Sequence, residues 1–370
     1  QGGNISVKAR IALFTANVQG GILQLTVQLY KTLVEEGYDV KVVMPYEIHD
    51  TDISLIAKTD LLQYHKEKKV IDQSPYKKIA GRINNIQPEF IWYMDDSVIC
   101  SNVGMFLKGE IKQLLTLHDA GTHHPTNNRS LRMVLLEKYT EFINRRFYKR
   151  VDKFVLMSPE SVVTFGNLYP HYKEKAVMIT LGAHLPDANE IKPAEMNAES
   201  DYLLFFGRID KYKGIGNLLK VYQDISDKAL PLVIAGGGNF TEEEKSLINQ
   251  CNNLTVINRY IDDGEMKWLL HHMTAAVLPY IEATQSGIIP LAYLFGKPVA
   301  VSNVAGLTQF VVNGKTGIIC STQNEWKNAL IEMTSETARA FEKEILEYYS
   351  KNMDWNANVR GMLERIEGEE

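Results

Sequence analysis

The sequence has few cysteines, and none is spaced for a disulfide or zinc framework. Cys100, Cys251 and Cys320 are the three in 370 residues, and no CxxC pair occurs. This usage is typical of a reducing compartment. No apolar run approaches the roughly 18 residues that span a bilayer, and the opening stretch QGGNIS lacks the basic and apolar regions of a signal peptide. We therefore expect a cytoplasmic protein.

Signatures of nucleic-acid and dinucleotide binding are also missing. The formal net charge is −5, and no DNA- or RNA-binding motif is present, so we expect no nucleic-acid partner. No GxGxxG fingerprint follows a strand. A chain of 370 residues is longer than a single hydrophobic core usually accommodates, which predicts two domains.

Short apolar runs alternate with helical stretches, which indicates an α/β fold with parallel sheets. The first unit reads as a strand over 10–15, a glycine-containing turn, a helix over 22–36 and a strand over 39–44. A long helix is predicted over 131–150, and further strands over 90–93, 113–117, 153–157 and 176–180.

The pattern starts again after a polar stretch at residues 193–201. Strands are predicted over 202–206, 231–235, 255–258, 275–279 and 298–302, and a final helix over 354–366. We expect two Rossmann-like domains that face a cleft, over residues 1–190 and 191–350, with a C-terminal helix over 351–370 that packs back on the first. Ligands of such sheets bind at the carboxyl ends of the strands, so the loops there are the candidate sites.

Two loops of the first domain stand out. Gly20 and Gly21 open a helix and would let an anion or a sugar approach bare backbone, although an ordinary tight turn is the better explanation of these glycines taken alone. The run HDAGTHH at residues 118–124 is rich in histidine. No acid or cysteine set completes a zinc spacing, so we predict no metal and take His118 as a hydrogen-bond donor to a ligand. The alternative is a satisfied loop histidine.

Three loops of the second domain carry candidate residues. GRIDKYKG at 207–214 holds Arg208 and Lys213, which can converge on one anion. AGGG at 235–238 bares backbone around Gly237. In YIEATQSGIIP at 280–290, Glu282 is followed by cap-forming residues and a helix expected near Gly287, with Pro290 in its first turn. Solvated loops and a surface acid are the alternatives.

Together these features resemble, in their order, a retaining glycosyltransferase of the GT-B fold, family 4, also described as glycosyl transferases group 1. The glycine turn, the HD pair, the GR and KG dipeptides and the GGG run follow one another as in that family. The text LFGKPVAVSNVAGLTQFVVNGKTGIIC, residues 294–320, is highly characteristic of its domain. The resemblance spans nearly the whole chain and is strongest over 202–317.

The resemblance implies roles residue by residue. Arg208 and Lys213 match the pair that grips the donor diphosphate, and Glu282 matches the first acid of the E-x7-E motif, which contacts the donor sugar. The second acid of that motif, usually a ribose ligand, is Pro290 here. Further contacts with the donor are expected from His118, Gly20, Gly21, Gly207, Gly237, Arg259, Tyr260, Ser286 and Gly287.

The implied activity is transfer of a sugar, with retention, from a nucleotide-diphosphate sugar to a hydroxyl acceptor, without a metal or another cofactor. A polysaccharide or lipopolysaccharide pathway fits. Eight basic residues against three acids over 129–153 would meet an anionic membrane surface or a lipid-linked acceptor, unless they form a solvated helix face. Two rival classes remain: a nucleotide-sugar epimerase, and a non-catalytic nucleotide-sugar-binding protein.

Overall fold

The protein divides into two compact α/β units. The computed structural model describes residues 8–17, 21–48, 53–66, 72–118, 131–180, 182–183, 185, 188–197 and 201–368. The first unit is Gln1–Ile179 together with Val359–Glu370, and the second is Thr180–Asn358. No helix in the described part combines the length and low polarity that crossing a membrane requires.

The first unit is built on a parallel sheet. Its strands, within the described residues, are β1 (Arg10–Phe14), β2 (Asp39–Pro45), β3 (Leu61–Tyr64), β4 (Phe90–Tyr93), β5 (Lys112–Leu117), β6 (Lys153–Leu156) and β7 (Ala176–Met178). They pair in the order β3-β2-β1-β4-β5-β6-β7. In the register of β1, Leu13 lies opposite Val42 on one side and Trp92 on the other. Residues 11–14 are fully buried, as expected for a parallel strand covered on both faces.

Helices cover this sheet, and the apolar stripe predicted for the first one is confirmed. Leu25, Leu29 and Leu33 are all buried, and the helix is followed by Gly37 at a φ of +89°. The described helices of the unit are α1 (Gly21–Glu35), α2 (Ser74–Ile86), α3 (Val98–Gly104), α4 (Leu131–Tyr148) and α5 (Pro159–Leu168).

The second unit repeats the architecture with a smaller sheet. Its described strands are β8 (Leu203–Phe206), β9 (Leu232–Ala235), β10 (Leu254–Ile257), β11 (Ala275–Leu278), β12 (Val299–Ser302) and β13 (Gly317–Cys320). All pairs are parallel, in the order β10-β9-β8-β11-β12-β13. The chain winds outward in one direction from β8 to β10 and in the other from β11 to β13, so the sheet has a switch point between β8 and β11.

The helices of the second unit lie between successive strands and after the last one. They are α6 (Ile215–Gln223), α7 (Glu242–Gln250), α8 (Asp263–His272), α9 (Ile288–Leu294), α10 (Ala305–Thr308), α11 (Gln323–Glu332) and α12 (Ser335–Asn352). Side-chain caps fix several of their starts: Thr241 and Thr322 each form a capping box with the glutamate three residues later.

The last helix, α13 (Trp355–Glu367), contains the boundary between the units. From Val359 onward it belongs to the first unit, where Arg360 pairs with Glu36 and the hydroxyl of Tyr38 donates to Glu367 at 3.0 Å. The hydrogen bond from Arg360 lowers the pKa of the Glu36 carboxyl. The predicted return of the C-terminal helix to the N-terminal domain is confirmed.

The predicted strands are all present, with ends that differ by one or two residues. The structure adds two strands that were not predicted. β3 is an edge strand of the first sheet, and β13 is an edge strand of the second. Both are four residues long and only partly buried. β3 contains the polar residue Gln63 and β13 begins with Gly317, which is a poor strand former, so neither short segment has a strong strand pattern in the sequence.

Candidate functional site

The candidate site lies at the carboxyl ends of β8 and β11. The strands are neighbours in the sheet but are separated by β9 and β10 in the chain, the arrangement that leaves a crevice for ligands in doubly wound sheets. Two loops begin there, residues 207–214 after β8 and residues 279–287 after β11. The backbone N–H of Ile281 donates to the carbonyl of Tyr212 at 2.8 Å, which joins the two loops.

A glycine makes this junction possible. A Cβ at Gly214 would lie 1.9 Å from the carbonyl oxygen of Pro279, and the φ of Gly214 is +69°. Glycine avoids both the collision and the left-handed backbone penalty. The KG dipeptide of the motif therefore brings the 3-10 turn Lys211–Lys213 against the end of β11.

Lys213 and Arg208 form a pair of like charges in this junction. Burial of the ammonium group, followed by the positive charge of Arg208, lowers the pKa of Lys213 to about 8, and Asp210 opposes the shift. Neither cation forms an ion pair with a described residue. An anion that bound both would remove their repulsion, and a diphosphate offers oxygens to each.

Two tyrosine rings hold Lys213 in place. Its Nζ lies 3.8 Å from the ring centroid of Tyr280 and 5.1 Å from that of Tyr212. Tyr280 is buried, which raises the pKa of its phenol to about 12, and its hydroxyl lies 3.4 Å from the Oγ of Ser286. Tyr280 was not predicted from the sequence, although an aromatic residue at a strand end beside a cation motif is a usable signal.

The loop after β11 presents the other predicted donor residues. Glu282 is exposed, and Ser286 is buried with its Oγ accepting the N–H of Ile288 at 3.3 Å. Gly287 occupies the N-cap position of α9 and makes no side-chain cap. The prediction that a side chain of residues 284–286 caps this helix is therefore wrong, because the N-cap residue is Gly287 and the hydroxyl of Ser286 closes a local turn before it. Pro290 lies in the first turn of α9, as predicted.

Residues of the GLTQ stretch support this loop, and the sequence analysis did not single them out. A Cβ at Gly306 would lie 2.0 Å from the carbonyl oxygen of Ala283. Gln309 donates to the carbonyl of Thr284 at 3.3 Å. In the same loop the buried Oε1 of Gln285 has no hydrogen-bond partner among the described residues. Buried acceptors are usually paired, so a ligand donor is a natural partner for this oxygen.

The glycine loops after β8 and β9 pack directly on each other. A Cβ at Gly236 would lie 2.1 Å from the carbonyl oxygen of Gly207, and the N–H of Ile209 donates to the carbonyl of Gly237 at 3.0 Å. The N–H of Gly238 donates to the Oδ1 of Asn258 at 3.1 Å. The structure therefore brings Gly207 and Gly237 together at the carboxyl edge.

The loop after β10 lies beside Gly237, whose Cβ position is 3.5 Å from the carbonyl carbon of Arg259. The guanidinium of Arg259 pairs with Glu195 and with the buried Glu265, and both partners raise its pKa above the usual range. This network ties the polar segment before β8 to α8, which the sequence did not predict. Tyr260 is 81% exposed.

In the first unit a buried carboxylate organises the loops after β1 and β4. Asp95 accepts from the N–H of Ala16 at 2.9 Å, the side chain of Asn17 at 3.0 Å and the N–H of Ser97 at 3.1 Å. The residue was also missed, because an aspartate in the MDD stretch looks like an ordinary loop acid.

Two further predicted residues belong to these strand ends. His118, after β5, places its Nε2 2.8 Å from the carbonyl of Met94, so a neutral ring donates there and leaves Nδ1 as an acceptor. Gly21 is exposed at the start of α1. Gly20 and the rest of the HDAGTHH stretch lie outside the described residues.

Two doubly wound parallel sheets in one chain define the class: a protein of two Rossmann-like units, the GT-B fold. Residues 187–352 match the family model described as "Glycosyl transferases group 1". A solved structure of HepE from Anabaena, in complex with UDP, is similar over 97% of this chain and 100% of its own, with a TM-score of 0.73 and 12% identity.

Curated relatives are similar at the sequence level. A glycogen synthase of Mycobacterium tuberculosis is 31% identical over 33% of this chain and 30% of its own length. An uncharacterized glycosyltransferase of Haemophilus influenzae is 24% identical over 85% of this chain and 87% of its own. A GDP-mannose:glycolipid 4-beta-D-mannosyltransferase of Xanthomonas campestris is 26% identical over 50% and 48%. The chain thus spans less than a third of the glycogen synthase and about half of the mannosyltransferase.

Proposed function

We propose that the protein is a retaining glycosyltransferase of family 4 that moves a sugar from a nucleotide-diphosphate sugar to a hydroxyl acceptor. The match of residues 187–352 to the group 1 family and the UDP-bound HepE structure support the reaction class. The observation that carries the proposal is the pair Arg208 and Lys213 at the switch point of the second sheet, where neither cation forms an ion pair with a described residue.

In this proposal the two cations bind the donor diphosphate and stabilise its developing charge. Arg208 offers a planar fork and Lys213 a point charge, and both act most strongly in a site from which water is excluded. They perform the charge neutralisation that a metal ion performs in other transferases. Glu282 binds the sugar, and Gly207, Gly237, Ser286 and Gly287 let the donor approach the backbone.

The proposed step exchanges one bond at the anomeric carbon. The bond from that carbon to the diphosphate oxygen breaks, and a bond to the acceptor oxygen forms on the same face. The acceptor proton passes to the leaving phosphate oxygen, so no protein nucleophile is required. His118, fixed by the Met94 carbonyl, is proposed to hold a sugar hydroxyl. Ribose contacts would come from groups other than the side chain at position 290, where proline has no side-chain acceptor.

We propose a lipid-linked or polysaccharide acceptor at the inner face of a membrane, with the protein in the cytoplasm. The Xanthomonas relative is named for a glycolipid acceptor. On α4, the side chain of Phe142 is 55% exposed. The guanidinium of Arg146 lies 5.6 Å from the ring centroid of Phe142. These two residues border a cavity of about 460 Å³ with Met105, Lys149 and Arg150. Exposed apolar and cationic groups together favour an anionic lipid surface.

Calorimetric titration of the purified protein with UDP, GDP and ADP tests the donor site. We expect one diphosphate to bind, and Arg208→Ala and Lys213→Ala each to weaken it at least tenfold, because each removes a charge-assisted bond worth about 1.5–3 kcal/mol. Lys211→Ala is the matched control, since Lys211 is exposed on the same turn. Unchanged diphosphate binding in both site variants would contradict the assignment of the donor site.

Product analysis with labelled nucleotide sugars separates the rival functions. Transfer to an added acceptor with retained configuration supports the proposal. Conversion of the donor without an acceptor indicates an epimerase, and tight diphosphate binding without any turnover across the sugar panel indicates a non-catalytic protein.

A further inference from the structure

A second cluster of chemically capable side chains lies far from the donor loops in the fold. Helix α8 ends with His271 and His272, and Glu190 reaches both. Glu190 Oε1 is 2.8 Å from Nδ1 of His271, and Glu190 Oε2 is 3.8 Å from Nδ1 of His272. One potential ligand atom from each of the three lies within 4.8 Å of the others, the one such group among the described residues.

Aromatic contacts orient both imidazoles. The ring of His272 stacks on Trp268 with centroids 4.5 Å apart, and the ring of His271 stacks on Phe295 at 5.2 Å. Stacking of this kind limits the rotation of each ring, so less conformational entropy is lost when a ligand binds. The two histidines are therefore held near Glu190 by contacts that do not depend on Glu190.

Hydrogen bonds on both sides of Glu190 fix the position of its backbone. The N–H of Ile191 donates to the carbonyl of Gly264 at 3.1 Å, and Lys267 donates to the carbonyl of Ala188 at 3.1 Å. The segment around Glu190 thus runs along α8 and is tied to it on both sides of the carboxylate. The groups of the cluster come from two stretches of chain that only the fold brings together.

The cluster lies at the amino edge of the second sheet. Both histidines line a cavity of about 310 Å³ whose other walls include Asp201, Thr274 and Lys297, residues that precede β8, β11 and β12. Arg208, Lys213 and Glu282 follow strands of the same sheet and lie at its carboxyl edge. The cluster is consequently no part of the donor site.

We propose that Glu190, His271 and His272 form a binding site for Zn²⁺ or a similar first-row transition metal ion. Two imidazoles and one carboxylate are a donor set that such ions take, with a fourth position left to water. Bonds of about 2.0–2.2 Å require donor atoms roughly 3.4 Å apart. The two carboxylate oxygens lie 2.8 Å from Nδ1 of His271 and 3.8 Å from Nδ1 of His272, and one potential ligand atom from each residue lies within 4.8 Å of the others, so small side-chain movements would reach that separation.

Metal binding at His272 would break one hydrogen bond of the protein. Its Nδ1 lies 2.9 Å from the carbonyl of Trp268, and a metal at this nitrogen would replace that hydrogen bond. A bound ion would link residues 188–191 to the end of α8.

Equilibrium dialysis of the full chain with Zn²⁺ at pH 7.5 tests the site. We expect saturable binding of one ion, weakened at least tenfold by His271→Ala and by Glu190→Gln. The glutamine keeps a hydrogen-bonding oxygen but loses the charge. His171→Ala, a change at an exposed histidine of the first unit, is the matched control. Zn²⁺ should raise the melting temperature of the wild type but not of the site variants.

A second control addresses the histidine-rich sequence of the first domain. In the triple variant His118→Ala, His123→Ala, His124→Ala we expect wild-type Zn²⁺ binding. Loss of the ion in that variant, or wild-type affinity in His271→Ala, overturns the assignment, and so does the lack of saturable binding in the wild type. Circular dichroism of each variant verifies its fold.

Discussion

The two sheets use charge in opposite ways at their carboxyl edges. In the first unit Asp95 is buried, and it accepts hydrogen bonds from Ala16, Asn17 and Ser97. In the second unit Arg208 and Lys213 have no ion-pair partner in the described structure. One edge thus holds a carboxylate that the protein itself hydrogen-bonds, and the other holds two like charges that form no ion pair with a described residue.

This difference indicates different roles: the charge of Asp95 stabilises the loops around it, whereas the charges of Arg208 and Lys213 could interact with a ligand. A buried carboxylate that is fully hydrogen-bonded fixes the backbone around it. Two cations held close together cost electrostatic energy, which an anionic ligand returns on binding. Substitutions at Asp95 should therefore act mainly on stability, and substitutions at Arg208 and Lys213 mainly on binding.

The largest expected effect comes from the glycine that joins the loops of the second unit. Gly214→Ala should lower the unfolding free energy of that unit by about 3 kcal/mol or more, because a left-handed backbone and an overpacked contact both penalise alanine. Gly21→Ala is the comparison, since nothing lies within 4 Å of its Cβ position. Urea unfolding measures both, and equal midpoints for the two variants would contradict the packing argument.

In the first unit Asp95→Asn should cost roughly 2–4 kcal/mol, because the amide nitrogen cannot accept the N–H groups that the carboxylate oxygens now satisfy. The melting temperature measures the loss. Asp227→Asn, at an exposed position, should leave it within a degree or two. UDP affinity is the diagnostic readout: a loss at Asp95 larger than that of Lys213→Ala would mean that this carboxylate belongs to the ligand site.

Much of the fold follows from local patterns. Buried parallel strands such as β1 and β8 are short continuous apolar runs, and the leucine stripe of α1 has helical spacing, so neither needs tertiary information. The edge strands β3 and β13 depend on pairing with a neighbour, and their sequences have no comparable pattern. Alternation of strands and helices then implies the parallel sheets.

The site was predictable where a residue type carries the chemistry itself. Arg208, Lys213 and the glycine loops stand out as cations and bare backbone after strands. Tyr280 and Asp95 act through neighbours that lie far away in the chain or across a turn, and no local pattern reveals such contacts. The pairing of Arg259 with Glu195 and Glu265 is likewise a product of the fold.

The lowered pKa of Lys213 should make binding at the proposed donor site depend on pH. The folded protein disfavours the ammonium form, so the associated loss of stability is full below pH 8 and disappears as the pH rises towards 10.5. UDP favours that form, so its dissociation constant should rise with pH above about 8, by up to tenfold per unit. Titration calorimetry from pH 6.5 to 9.5 measures it.

Lys213→Arg is the matched variant, since a guanidinium stays charged over this range. Its pH profile should be flat above 8. A wild-type profile equally flat would show that Lys213 does not contribute its charge to diphosphate binding.

The smallest effect concerns the ring beneath Lys213. Tyr280→Leu removes a cation–π contact and should weaken UDP binding by roughly two- to tenfold, since such contacts contribute about 0.5–1.4 kcal/mol when partly desolvated. Tyr280→Phe keeps the ring face and loses only the hydroxyl near Ser286, so its affinity should stay within about twofold. If the phenylalanine variant instead binds UDP as poorly as the leucine variant, the hydroxyl contact with Ser286 determines the geometry, and the ring is a scaffold for the loop after β11.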